Sequence, residues 1–151
     1  MSINRRFFLK AGALSGAFIS LLGSSRIFAS WPKAAFTATT EADAILAALG
    51  TNQLIDSDKI NIKAPPIAEN GQTVPITIST SIADAEVIRI FAANNPAPLS
   101  ATFTLSSRTE ATVSTKIKLA KTGDIIAIVQ SKGQYYAKRQ AIKVTKGGCG
   151  G

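Results

Sequence analysis

The reactive chemistry of this chain is concentrated in one thiol near its carboxyl end. Cys149 is the only cysteine among the 151 residues, and it is flanked by Gly147, Gly148, Gly150 and Gly151. Glycine has no Cβ, so the backbone on both sides has wide conformational freedom and the sulfur is sterically open. Its thiolate form is a nucleophile. We therefore expect Cys149 to be a covalent attachment site on a flexible arm formed by these five residues.

The sequence offers no other strong candidate for a catalytic or metal site. The chain contains no histidine, which excludes His-dependent triads, Cys–His dyads and His metal sites. Asp56 and Asp58 could ligate a cation, but a polar turn is the expected role of this pair. Asp84 and Glu86 could act as an acid/base pair, but solvated residues at a strand start are expected. We assign no catalytic residue, metal ligand or cofactor.

The amino-terminal residues predict export. Arg5 and Arg6 precede an apolar stretch, roughly residues 11–23, that is too short to span a bilayer. This pattern is typical of a bacterial twin-arginine signal peptide, which we assign to residues 1–29. Cleavage after Ala35 and an uncleaved amphipathic anchor helix are the alternatives. A twin-arginine signal predicts a folded protein in the periplasm, free of the membrane after processing.

Charge and cysteine count narrow the possible partners. Removing residues 1–29, with four basic and no acidic residues, lowers the net charge from +8 to +4. The remaining lysines and arginines form no clustered stripe, so we expect no nucleic-acid binding. A modest attraction for small anions or acidic partner surfaces is expected. A single cysteine forms no internal disulfide, and in an exported protein it indicates either an intermolecular bond or a working thiol.

One short helix precedes a β-rich body. Thr40 is a suitable N-cap with Asp43 three residues later, and Gly50 can adopt the left-handed conformation that ends a helix. The apolar residues Ile45, Leu46 and Leu49 fall on one face. This pattern predicts a helix over residues 40–50 that packs on a sheet or on a partner.

After this helix, apolar residues recur every second residue instead of every 3.6 residues. This alternation predicts about seven strands. They cover residues 59–63, 74–79, 86–92, 101–105, 111–119, 125–130 and 135–145. Strands at this spacing, separated by turn residues and without βαβ alternation, are typical of an all-β immunoglobulin-like sandwich. We assign residues 30–146 to one domain comprising the helix and the sandwich. The last strand runs into the glycine arm, so one end of the sandwich should anchor it.

The last strand has an uneven apolar phase. Ala137, either Ala141 or Ile142, and Val144 are expected to face inward, and the irregularity suggests a bulge. Tyr135 and Tyr136 are adjacent, so strand geometry predicts one ring in the core and the other exposed.

Five parts of the chain form a specific combination: the Arg5-Arg6 signal, residues 66–71 with Val74-Pro75, residues 95–98, residues 113–120 and the tail 147–151. Together they resemble the SoxY family of periplasmic sulfur-oxidation proteins. The resemblance covers essentially the whole chain, and the combination of tail and export signal is specific. Lys146 departs from the pattern, since an apolar residue is expected before the glycines.

The resemblance implies a non-catalytic carrier. Cys149 would bear thiosulfate-derived sulfur, and the four glycines would form a swinging arm that enters partner channels. It also implies a heterodimer with a SoxZ-like subunit that has no signal of its own. Transient contacts with SoxAX-, SoxB- and, in some systems, SoxCD-like enzymes are implied as well.

Two other functions are compatible with a glycine-rich tail. A ubiquitin-like sulfur carrier would bear sulfur on the Gly151 carboxylate, although the export signal and the strand pattern oppose it. An exported structural or adhesion module would use Cys149 for an intermolecular disulfide.

Overall fold

The computed structural model describes residues 33–106 and 110–146. The predicted signal peptide, residues 1–29, and the arm, residues 147–151, lie outside the described residues. Two helices and nine strands form within the described ranges. The helices are α1 (Lys33–Thr37) and α2 (Glu41–Leu49). The strands are β1 (Ile55–Asp56), β2 (Ile60–Lys63), β3 (Ile67–Ala68), β4 (Val74–Thr80), β5 (Ala85–Ala92), β6 (Leu99–Thr104), β7 (Thr112–Ile117), β8 (Gly123–Ser131) and β9 (Gln134–Val144).

The strands form two sheets. The larger has the order β1-β9-β8-β5-β6, and β3 also pairs with β9. The smaller has the order β2-β4-β7 and is antiparallel throughout. Strands β1 and β3 both run parallel to β9, whereas the other pairs of the larger sheet are antiparallel. The predicted immunoglobulin-like sandwich is therefore confirmed.

Strand β8, in the middle of the larger sheet, is buried on both faces. Ile125, Ala127 and Val129 of β8 pack between the two sheets, with β4 residues such as Ile76 and Ile78. The alternate residues Ile126 and Ile128 join a second cluster under the helices. A strand covered on both faces has no polar side to present, which explains the continuous apolar run in β8. The domain thus has three layers, namely helices, larger sheet and smaller sheet.

Helix α2 begins and ends as predicted. The Asp43 amide donates to the Thr40 hydroxyl at 3.2 Å, and that hydroxyl donates to the Asp43 carboxylate at 2.7 Å. Gly50 ends the helix with φ of +76°, which an L-residue adopts only with strain. The predicted packing face is partly wrong, since Ile45 is buried but Leu46 is 47% exposed.

The last strand differs from the prediction in two respects. Strand β9 pairs with β8 in unbroken register, so the predicted bulge is wrong, and the register shifts lie in β5 instead. The uneven apolar phase arises because β9 has two covered faces. Ala137 packs under the helices, while Ile142 and Val144 pack between the sheets and Ala141 is exposed.

Tyr135 and Tyr136 lie on opposite faces of β9. Tyr135 is half-buried in the cluster under the helices, and its hydroxyl donates to the Leu49 carbonyl at 3.2 Å. Tyr136 is half-buried between the sheets, and its hydroxyl hydrogen-bonds Gln134 at 2.6 Å. The expectation of one exposed ring is therefore wrong, because neither side of β9 faces only solvent.

Three short elements were not predicted from sequence. Helix α1 covers the larger sheet through Ala35, which is fully buried. Strands β1 and β3 have two residues each, too few to show a period, and they form because the edge of β9 offers them partners. Within the described ranges, no helix has the length and apolarity needed to cross a membrane.

Candidate functional site

The end of β9 is the mount from which the arm leaves the domain. Strand β3 pairs in parallel with Lys143 and Val144. Beyond the strand, the Thr145 amide donates to the Ala68 carbonyl at 3.0 Å, and its hydroxyl donates to the Glu69 carbonyl at 2.9 Å. The Lys146 carbonyl accepts from the buried Gly71 amide at 2.7 Å. The backbone is therefore fixed up to the residue directly before the arm.

Thr122 hydrogen-bonds the end of β9 on the edge opposite to β3. The Val144 amide donates to the Thr122 hydroxyl at 2.9 Å, and that hydroxyl lies 3.3 Å from the Val144 carbonyl. The Thr122 carbonyl in turn accepts from the Asn94 side-chain amide at 2.8 Å. A Cβ on the adjacent Gly123 would lie 2.5 Å from that amide nitrogen, so the close approach requires glycine here.

A second asparagine links the neighbouring loop to the mount. The side-chain amide of Asn95 donates to the Lys118 carbonyl at 2.7 Å, and its oxygen accepts from the Ala120 amide at 2.8 Å. Between them, the Leu119 amide donates to the Gly71 carbonyl at 2.7 Å. Because the Gly71 amide bonds Lys146, a continuous set of hydrogen bonds connects this loop to the base of the arm.

Four lysines lie on the end of β9 and on the β7–β8 loop that is hydrogen-bonded to it. We refer to them as the lysine collar: Lys118, Lys121, Lys143 and Lys146. All four are exposed, and none forms an ion pair with another residue in the described part of the chain. Two carboxylates lie at the same end: the exposed Glu69, on the segment that bonds Thr145, and Asp124 at the start of β8, which lies 3.9 Å from the Arg139 guanidinium. The end of the domain that bears the arm is therefore net positive.

The acidic residues singled out from sequence take structural roles. Asp58 lies in a polar turn, as expected, and its carboxylate pairs with the Lys138 ammonium, whereas Asp56 lies in strand β1 and not in the turn. That hydrogen bond, together with the lysine charge, lowers the pKa of the Asp58 carboxyl below its ordinary value. Asp84 pairs with Lys132 at 2.9 Å, and Glu86 accepts from Gln130 and from the Lys132 amide.

These carboxylates do not converge on a site. No group of three or more metal-ligating side chains occurs within residues 33–106 and 110–146. The predicted attachment residue Cys149 and the arm glycines Gly147, Gly148, Gly150 and Gly151 lie outside the described residues. The structure thus describes the mount of the candidate site, and the sequence supplies its reactive atom.

The family of this chain follows from comparison with known proteins. The family model of the sulfur oxidation protein SoxY matches residues 45–149, which is more than half of the chain. The chain belongs to the SoxY family. The match ends at Cys149 and so includes the sulfur atom as well as the mount. The SoxY resemblance inferred from sequence is confirmed, and with it a role in sulfur oxidation.

Solved structures agree with this assignment. The sulfur carrier protein SoxY from Chlorobium limicola f thiosulfatophilum is 41% identical, with a TM-score of 0.65 over 76% of this chain and 100% of that chain. A superoxide reductase (neelaredoxin) from Ignicoccus hospitalis is 18% identical, with a TM-score of 0.52 over 60% of this chain and 94% of that chain. This second likeness concerns the fold alone. A comparison with curated protein sequences found no match.

Sequence reasoning located the thiol but missed the residues that fix its base. Gly71, Asn95 and Thr122 all lie between predicted strands, where the sequence indicates only turn residues. The backbone groups that hydrogen-bond the side chains of Thr122 and Asn95 lie 22 to 25 residues away in the sequence. Turn signals predict where a chain reverses, but they carry no information on which distant backbone group a turn residue will bond.

The Thr122 hydrogen bonds should matter for the order of the arm's base. Replacing Thr122 with Val keeps the side-chain shape but leaves the Val144 amide without its 2.9 Å acceptor. Because this hydrogen bond is exposed, water can partly replace the lost acceptor, and we expect a loss of about 0.5–1 kcal/mol in the free energy of unfolding and faster hydrogen exchange at Val144. Urea denaturation and amide exchange measured by NMR test this.

Thr112→Val is the matched control. Thr112 is an exposed strand residue whose side chain makes no hydrogen bond to another described residue. The control should retain wild-type stability and exchange. Wild-type exchange at Val144 in Thr122→Val would contradict the role assigned to the hydroxyl.

Proposed function

We propose that this protein carries thiosulfate-derived sulfur intermediates on the Sγ atom of Cys149 and presents them to the enzymes of thiosulfate oxidation. The observation that carries the proposal is the extent of the SoxY family match, which runs through the domain and reaches Cys149. The solved relative from Chlorobium, 41% identical, is itself described as a sulfur carrier protein.

The chemistry begins with a covalent bond between two sulfur atoms. In the loading step the Cys149 thiol bonds to the outer sulfur of thiosulfate, while one proton and two electrons leave. A haem-containing SoxAX-like partner would accept the electrons. A SoxB-like hydrolase would then add water at the sulfonate group, release sulfate and leave a persulfide on Cys149. In some systems a molybdenum–haem SoxCD-like enzyme would oxidise this remaining sulfane sulfur.

The protein itself would catalyse none of these steps. Its own contribution is to hold the sulfur at a defined distance from a rigid base. Lys146 is anchored through Gly71, and Cys149 lies three residues beyond it. At about 3.3–3.6 Å per residue the arm extends on the order of 10 Å, which is long enough to enter a narrow partner channel. The four glycines allow the arm to adopt the different conformations that different partners require.

The same proposal includes the compartment and the stable partner. We propose export by the twin-arginine pathway to the periplasm, with residues 1–29 as the signal peptide. Cleavage after Ala29 leaves helix α1 intact, whereas cleavage after Ala35 would remove its buried alanine. A SoxZ-like subunit is the proposed heterodimer partner. Exposed apolar side chains suited to such a contact are Leu46, Ile55 and Ile67.

Mass spectrometry of the native protein, purified from cells grown on thiosulfate, tests this function. We expect intact masses that include thiosulfate or sulfane adducts, located by peptide analysis on Cys149. An unmodified Cys149 with a derivatised Gly151 carboxylate would instead support a ubiquitin-like carrier. A disulfide-linked dimer without sulfur adducts would support a structural or adhesion module. Either of these outcomes overturns the proposal.

A further inference from the structure

The charged residues of the domain are unevenly distributed along its length. Strands β8 and β9 define two ends, because Gly123 pairs with Ile142 at one end and Ser131 pairs with Gln134 at the other. The four lysines of the collar lie at the first end, against two carboxylates, Glu69 and Asp124, of which Asp124 lies 3.9 Å from Arg139. Acidic residues gather at the second, where Asp84 and Glu86 contact Lys132 in the β8–β9 turn.

The smaller sheet follows the same distribution. It contributes positive charge at the collar end and negative charge at the opposite end. At the collar end, strand β7 ends at Ile117, one residue before Lys118. At the opposite end, β7 begins beside Glu110, and Ala111 lines a cavity together with Asp84 and Glu86. The domain is therefore polarised, with its positive end at the base of the arm.

The arm is short enough that this charge acts on the thiol in any arm conformation. The Lys146 carbonyl is fixed by the Gly71 amide at 2.7 Å, and Cys149 is three residues further on. Covalent geometry alone keeps the Cys149 sulfur within a distance on the order of 10 Å of the Lys146 backbone. The Debye length is about 10 Å at 0.1 M salt and about 30 Å at 0.01 M. The sulfur therefore stays within about one Debye length of the Lys146 backbone at 0.1 M salt, and well within it at 0.01 M.

We propose that the lysine collar recruits small anionic sulfur compounds to the arm and so raises the rate at which Cys149 reacts with them. The proposal rests on the proposed function in one respect, namely that Cys149 is the reacting atom. It goes beyond that function by assigning a role to four described lysines. Lys146 contributes one of the four charges. The SoxY resemblance leads us to expect an apolar residue at this position, so this part of the collar is a property of this chain.

Thiol–disulfide exchange isolates the electrostatic effect. The Cys149 thiolate attacks one sulfur of a reagent disulfide, forms a mixed disulfide and releases the other half of the reagent as a thiolate. The thiol proton goes to solvent, and no further oxidant is needed. Dithiobis(nitrobenzoate) carries two carboxylates, whereas dithiodipyridine is neutral at pH 7. Both reagents respond to the thiolate fraction, so the ratio of their rates reports recruitment of the anion alone.

The test compares the purified full chain with two variants that each lose two positive charges. Lys143→Gln/Lys146→Gln removes charge at the collar, and Lys59→Gln/Lys132→Gln removes it at the opposite end. Lys59 and Lys132 are exposed, so both variants should keep the fold, which circular dichroism verifies. We expect the collar variant to lower the anionic-to-neutral rate ratio about five-fold at 0.01 M salt and about two-fold at 0.15 M. At about 1 M salt the difference should vanish.

The control variant should retain the wild-type ratio. An unchanged ratio in the collar variant, or an equal fall in both variants, would overturn the proposal, since the latter would reflect net charge rather than position. This assay requires no natural cargo. It can fail while Cys149 carries sulfur adducts in native protein, and it can succeed when no adduct is found, so the two proposals are tested separately.

Discussion

Replacing Cys149 with Ser should abolish thiosulfate-dependent sulfate release in an assay with the partner enzymes, and no sulfur adduct should form on the variant. The loss should be complete because the chain has no second cysteine that could take over the bond. A serine hydroxyl is not appreciably ionised at neutral pH and forms no stable bond to sulfane sulfur. Sulfate release and intact mass are the two measurements.

A relocated thiol separates position from reactivity. In the variant that combines Cys149→Ser with Thr112→Cys, an exposed thiol sits on a strand of the smaller sheet, without glycines around it. Such a thiol should react with small reagents but should support no sulfate release, since it cannot enter a partner channel. Full activity of this variant would show that any exposed thiol suffices, and the arm would then have no role in carriage.

The mount limits the space that the thiol of the proposed carrier can reach. Hydrogen bonds to Gly71, Thr122 and Ala68 fix the backbone as far as Lys146, three residues before Cys149. A short tether on a fixed base keeps the sulfur within a small volume and raises its effective concentration at a partner bound to the same domain. Fraying of β9 would enlarge that volume and dilute the thiol.

Sequence predicted the elements that local signals determine. The helix caps Thr40 and Gly50 were predicted because a side-chain acceptor and a left-handed stop act within one turn. The strands were predicted where alternation extends over four or more residues. Pro75 is tolerated in β4 because it is the second residue of the strand and lies in a part that pairs with β7 but that β2 does not reach.

What sequence could not predict depends on contacts between distant segments. Two-residue strands such as β3 exist only through their pairing with β9. The β9 pattern was interpreted as a bulge because a single buried face was assumed, whereas helices α1 and α2 cover the second face. For the candidate site, composition identified Cys149, but the bond from Gly71 to Lys146 joins residues too far apart for any local pattern to indicate it.

The layer of helices over the larger sheet should be essential to stability, and Phe91→Ala tests it. Phe91 has no exposed surface and packs under α1 and α2 with Ala44 and Ile45. Removing its ring withdraws buried apolar surface and leaves a cavity, so we expect the free energy of unfolding to fall by about 3–5 kcal/mol. Urea denaturation followed by circular dichroism measures this change.

Leu46→Ala provides the comparison within the same layer. Leu46 belongs to α2 but is 47% exposed, and alanine favours helix at least as well, so the loss should stay below about 1 kcal/mol. A loss below about 1 kcal/mol in Phe91→Ala would mean that the helices rest only loosely on the sheet. The sandwich interior would then supply the stability alone. A large loss in Phe91→Ala beside a small one in Leu46→Ala establishes instead that the covered outer face of the sheet is a second core, on which β9 and therefore the base of the arm depend.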